Sequence, residues 1–203
     1  MSNTSATTWR VLGTLIRIRF TDPAEMPCTA DYLTAACNQV GTLTTLPPID
    51  KPEVHRALAE LIKMGLVRVE ETMGTFRYGE TAANRFQLTP AEHAVLAVLL
   101  LNRPLTAMEL LKESYRLYPF RSTSQITETI DSLESAHPVA LARHWPPTTD
   151  GDARFTHAQY EEAAPAPAPT AGPVPQPPDE LEQRVAELEQ LIDHIAPPLD
   201  HER

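Results

Sequence analysis

One pattern is written twice along this chain: three capped, amphipathic helices and then a β-hairpin. The first copy runs from about Thr8 to Tyr78 and the second from about Thr89 to Tyr160. Each copy is close to the smallest size that supports its own core, so packing of one copy on the other is expected to stabilise both.

In the first copy, Val11, Leu12, Leu15 and Ile16 recur at helical spacing from about Thr8 to Arg19, and Thr21-Asp22-Pro23 stops the helix. A second helix is predicted from about Ala30 to Gln39. The third opens with Asp50-Lys51-Pro52-Glu53, an N-cap acid, an early proline and a glutamate three residues on. Its apolar stripe is Val54, Ala57, Leu58, Leu61 and Ile62, and Gly65 suits a left-handed cap. Leu66 to Glu70 then alternates as a strand, Met73-Gly74 turns, and Thr75 to Tyr78 returns.

The second copy repeats these signals. Thr89-Pro90-Ala91-Glu92 and Thr106-Ala107-Met108-Glu109 are capping boxes, the latter for a helix ending near Tyr118-Pro119. Ser122 to Gln125 opens the last helix, with Ile126, Ile130 and Leu133 on its apolar face. Strands are predicted at Val139 to Arg143 and Ala153 to His157 around Asp150-Gly151. The fold class is therefore mainly α with small β-hairpins (α+β): two tandem winged-helix domains, 1–87 and 88–161. An Ala/Pro-rich linker, 162–178, and a short acidic coiled-coil segment, 179–203, follow. In that last segment Leu181, Val185, Leu188, Ile192 and Ile195 make a heptad seam of about two repeats, too short to stand alone as a helix. It is expected to pair with a second copy, giving a homodimer, or to dock back on the body.

The net charge of −10 is unevenly spread: residues 1–160 carry −2 and residues 161–203 carry −8. A nearly neutral body lacks the broad field of a strong non-specific DNA binder, without excluding a local basic face. Cys28 and Cys37 form no Cys-x-x-Cys motif and are expected to be reduced, small apolar residues of a cytoplasmic protein. No signal peptide is visible, and the longest apolar run, Ala94 to Leu101, is too short for a membrane span.

Certain stretches resemble the uncharacterised bacterial YceH-like family of tandem winged-helix proteins. They are Arg10-Val11-Leu12-Gly13-x-Leu15-Ile16, Ala36-Cys37-Asn38-Gln39, Leu88-Thr89-Pro90-Ala91-Glu92, Met108-Glu109-Leu110 and Leu117-Tyr118-Pro119-Phe120. The resemblance implies a cytoplasmic, non-enzymatic, two-domain protein. The chain departs from the family pattern at Trp9, at Ile18-Arg19 and at Val40 to Pro47, where the family carries a polar segment.

In a winged helix the third helix reads DNA and the hairpin touches the backbone. The candidate DNA-binding residues are accordingly Lys51, His55, Arg56 and Lys63 on the third helix, with Arg68 and Arg77 on the hairpin. The alternative is a solvated, salt-bridged face, since Glu53, Glu60 and Glu70 lie among these cations. The last helix offers Gln125, Thr127, Glu128, Asp131 and Ser132 outward and no Lys or Arg between Ser122 and Val139, which suits a protein partner better. Asn38 is expected to cap its helix, and His93 to lie on a helix surface. No phosphate loop, nucleophile setting or His/Cys metal spacing occurs, so no enzyme activity, cofactor or metal is expected. The expected partners are double-stranded DNA or, alternatively, another protein, together with a second copy and no membrane.

Overall fold

A computed structural model describes residues 6–39, 47–135, 137–146 and 152–160. The linker and the heptad seam Leu181, Val185, Leu188, Ile192 and Ile195 lie outside the described residues, as does most of the segment 40–47. The described chain is a mixed α+β structure of seven helices and two small antiparallel sheets.

The first half holds α1 (Ala6–Thr21), α2 (Ala30–Gln39) and α3 (Lys51–Lys63), then β1 (Val67–Thr72) and β2 (Thr75–Glu80). A single-turn 3-10 helix, Pro23–Glu25, joins α1 to α2. The capping box that opens α3 forms as its sequence predicts. The Asp50 carboxylate accepts from the Glu53 amide at 2.8 Å, and the Glu53 carboxylate accepts from the Asp50 amide at 2.9 Å. Gly65, at φ 69°, ends the helix. Its amide donates to Ile62 and that of Leu66 to Leu61, the paired bonds that satisfy the last carbonyls of a helix. The Met73-Gly74 loop has positive φ at both residues, which matches the twist of a two-residue hairpin.

The short helix α4 (Ala82–Phe86) carries no apolar period long enough to be seen in sequence. It leads to α5 (Pro90–Leu101), α6 (Ala107–Ser114) and α7 (Thr123–Ser135), and then to β4 (Ala142–Trp145) and β5 (Arg154–His157). Both predicted capping boxes are present, at Thr89 and Thr106. The helix α6 stops at Ser114 rather than near Tyr118. The Ser114 hydroxyl donates to the Leu110 carbonyl at 2.6 Å, a side-chain bond that competes with the continuing helical ladder. The strand β4 begins at Ala142 rather than Val139, because the Leu141 amide is used to close α7 on the Leu133 carbonyl.

A short third strand was not legible in the sequence. Leu105–Thr106 forms β3, and the sheet order is β3-β5-β4. The first half has a reduced equivalent: Cys28 and Tyr78 exchange backbone bonds of 3.1 and 2.8 Å. In both halves the residue two places before the second main helix pairs with the returning hairpin strand.

The halves meet along α1 and α5, which are buried on nearly every side. Gly13 sets the distance between them. A Cβ placed there would lie 2.9 Å from Leu100 Cβ and from Leu101 Cγ. The faces of α5 are divided. Leu96, Ala97 and Leu100 complete the core of the first half, whereas Val95, Val98 and Leu99 belong to that of the second. A helix serving two cores has no polar face, which is why Ala94 to Leu101 reads as an unbroken apolar run.

Candidate nucleic-acid interface

The outer face of α3 exists because Val54, Ala57, Leu58 and Leu61 turn the opposite face into the core. Lys51, His55, Arg56 and Lys63 are all exposed. His55, Arg56 and Lys63 have no ion pair or hydrogen bond among the described residues, whereas Lys51 sits 2.6 Å from Asp31 of α2. Of the interspersed acids, Glu53 is spent on the helix cap, and Glu60 accepts a 2.7 Å bond from the Thr8 hydroxyl. Both carboxylates are thus engaged by uncharged donors, although they line the same shallow cleft as Arg56.

The hairpin cations are more encumbered. Pairing puts Arg68 opposite Gly79 and Arg77 opposite Glu70, all on one face. Arg68 holds Glu70 at 3.0 Å, and half-buried Arg77 donates to the Pro27 carbonyl at 3.1 Å. On the other face of the hairpin Val69, Phe76 and, at the tip, Met73 are exposed, with exposed Glu71 opposite Phe76, while Val67, Tyr78 and Glu80 at its base are buried.

A seventh cation stands nearby that the spacing of the third helix does not reveal. Arg19, at the end of α1, lines a cleft of about 310 Å³ with Pro27, Arg68 and Gly79 at the base of the hairpin. It lies 3.3 Å from the buried carboxylate of Glu80. Arg19 reaches the hairpin only through the fold, so nothing local in the sequence marks it.

Other residues singled out by sequence take structural positions. His93 is buried, not on a helix surface: it packs on Phe20 with ring centroids 5.3 Å apart and lies 3.5 Å from Glu80. It is covered because α5 is sandwiched between the halves. Asn38 has no left-handed backbone. Its side chain instead exchanges two 2.9 Å bonds with the amide and carbonyl of Ile49. Arg10 is buried and donates to the carbonyls of Cys37 and Pro47, both at 2.7 Å. Arg10 and Asn38 thus clamp both ends of the altered segment 40–47. Ser132 faces α5 and donates to the buried Glu92 carboxylate at 2.6 Å, so it is not part of an outward face. Burial pushes the Cys28 thiol up to about 11 and that of Cys37 upward too, which keeps both protonated and unreactive near neutral pH.

The helix α7, which takes the place of α3 in the second half, carries no Lys or Arg. Asp131 and Glu134 of α7 face His144 of β4 at 3.9 and 3.6 Å. This is a surface group of metal-ligand residue types, its ligand atoms within 4.8 Å of one another: helical spacing puts Asp131 beside Glu134, and the fold adds His144.

Among the described residues no helix is long and apolar enough to cross a membrane. Fold and site together define a mixed α+β protein of two like halves, with one cationic helix face and one acidic one. The family model described as "Protein of unknown function, DUF480" matches residues 4–148. A UPF0502 protein of Opitutus terrae is 33% identical over 88% of this chain and 80% of its own length. UPF0502 proteins of Mesorhizobium japonicum and Geotalea daltonii are each 32% identical, covering 94% and 92% of this chain and 92% and 84% of their own lengths. The chain belongs to this DUF480/UPF0502 family of bacterial proteins.

Proposed function

We propose that this is a non-enzymatic, DNA-associated regulator built as two tandem winged helices, with α3 and the first hairpin as its contact surface. The observation that carries the proposal is the outer face of α3, where His55, Arg56 and Lys63 are exposed and without a partner among the described residues, while neighbouring Glu53 and Glu60 are bonded to the Asp50 amide and the Thr8 hydroxyl. The repeated order of three helices and a hairpin, with a third strand segment in each half, supports the winged-helix assignment. Arg68 and Arg19 flank the hairpin base and can add phosphate contacts by exchanging their present glutamate partners.

Titration of a labelled DNA duplex at several salt concentrations tests this. Arg56→Ala with Lys63→Ala is expected to weaken binding and to flatten the salt slope by about one unit per lost phosphate contact. Unchanged binding and slope in the double variant would remove α3 from the interface.

A second proposal, a protein-binding adaptor, is favoured by the exposed apolar side chains toward the hairpin tip (Val69, Met73 and Phe76) and by the acidic outer face of α7. A cytoplasmic homodimer formed through the seam Leu181 to Ile195 belongs to both proposals and rests on the heptad spacing. Sedimentation of the full chain against a chain ending at Ala163 measures it. A monomeric mass for both at every concentration would end that part.

A further inference from the structure

We infer that the cleft at the seam between the two halves is a binding site for a small, uncharged, mostly apolar molecule that carries a hydrogen-bond acceptor. This goes beyond the nucleic-acid proposal and does not depend on it. The cleft holds about 330 Å³, within the range of about 300–1,000 Å³ usual for small-molecule sites. Trp9, Met64 and Phe86 come to it from the first half, and Leu100, Leu141 and His157 from the second. An occupant would therefore bury apolar surface on both halves at once.

Two features give its chemistry. Among the described residues no Asp, Glu, Lys or Arg lines the cleft, so a charged ligand would be desolvated without a partner there. Arg143, whose charge is felt at His157, donates to the Tyr160 carbonyl and lies over the Trp145 ring at 5.4 Å. Two lining side chains, however, carry buried nitrogens without a hydrogen-bond partner among the described residues, Nε1 of Trp9 and Nδ1 of His157. His157 is only 6% exposed, and the two rings are 5.9 Å apart. Native proteins seldom leave buried polar atoms unsatisfied. An indole N–H can only donate, so what satisfies it must accept. Burial, and secondarily Arg143, lowers the imidazole pKa to about 4, so His157 is neutral and matches an uncharged ligand. Both rings belong to the wall of the cleft. The exposed Val139 and Ala140 form the rim.

The test uses the full chain and the uncharged naphthalene ketone prodan, an apolar body with one carbonyl acceptor. Saturable one-to-one binding with a blue-shifted emission is expected. Ala140→Trp and Val139→Trp, each at an exposed rim position, should weaken it at least about tenfold with unchanged melting. Trp9→Phe and His157→Phe should each weaken it about fivefold, the loss expected for one hydrogen bond. Absence of saturable binding would overturn the proposal, as would full affinity in both rim variants. Equal affinity for an anionic naphthalene sulfonate of the same size would overturn its uncharged chemistry.

Discussion

At Gly13 a single missing side chain decides how closely the two central helices approach. Alanine is normally the better helix residue by about 1 kcal/mol. Here its Cβ would meet Leu100 and Leu101 at 2.9 Å, closer than real contacts allow, and those side chains belong to a buried helix with little room to move. Overpacking of this kind costs about 1–3 kcal/mol. Gly13→Ala is therefore expected to lower stability by up to about 2 kcal/mol net of the propensity gain, measured by urea unfolding. A stabilised variant would mean that α1 and α5 are further apart than described. Arg10 and Asn38 act at the same scale. Each is a polar residue spent on backbone groups at the two ends of the segment 40–47, so the stretches Arg10 to Ile16 and Ala36 to Gln39 are explained by packing and clamping rather than by a partner.

The elements that sequence foretells are those with a local cause. The boxes at Asp50, Thr89 and Thr106, the glycine stop at Gly65 and the Met73-Gly74 turn all appear where spacing puts them. The candidate cations of α3 were equally legible, because an amphipathic helix announces its outer face. What stayed hidden depends on distant chain: β3, which exists only against β5, the burial of His93, and Arg19 beside the hairpin. Charged groups that tie elements together should show in the acid response of stability. His157 of β5 is held to about 4, mainly by burial, against an ordinary 6.5. As pH falls from about 6.5 to about 4 the unfolded chain gains a proton there that the folded chain refuses, so stability falls across that window by roughly 3 kcal/mol. Glu80 joins the end of β2 to α5. Burial works against its charge, yet His93 and Arg19 beside it outweigh burial and hold its carboxyl below the ordinary 4.5. Its contribution is present above that value and is lost as pH falls further. Melting curves from pH 7 to pH 3 should thus decline in two stages. His157→Phe should remove the first stage and keep the second, and a variant that retains the full decline above pH 4.5 would contradict the assignment.

For the whole molecule the governing feature is that α5 belongs to two cores. The described residues, all within 1–161, fall in one compact unit, and the buried faces of α5 alternate between the clusters on either side of it. Removing either half would leave Leu96, Ala97 and Leu100, or else Val95, Val98 and Leu99, without partners. Each half alone is also near the size at which a core stops being self-supporting. Two halves that share a central helix should unfold together, although the sequence pattern divides them neatly at residue 87. Calorimetry of the full chain is expected to give one transition for this body, with calorimetric and van't Hoff enthalpies equal. Two core truncations make the test sharper. Leu58 is buried in the first cluster and Leu99 in the second. Leu58→Ala and Leu99→Ala should each cost about 2–5 kcal/mol. Each should move the same single transition, the near-UV signals of Trp9 in the first half and Trp145 in the second shifting in step. If Leu58→Ala lowered one transition and left a second at its wild-type midpoint, the halves would be independent domains and the seam only a contact between them.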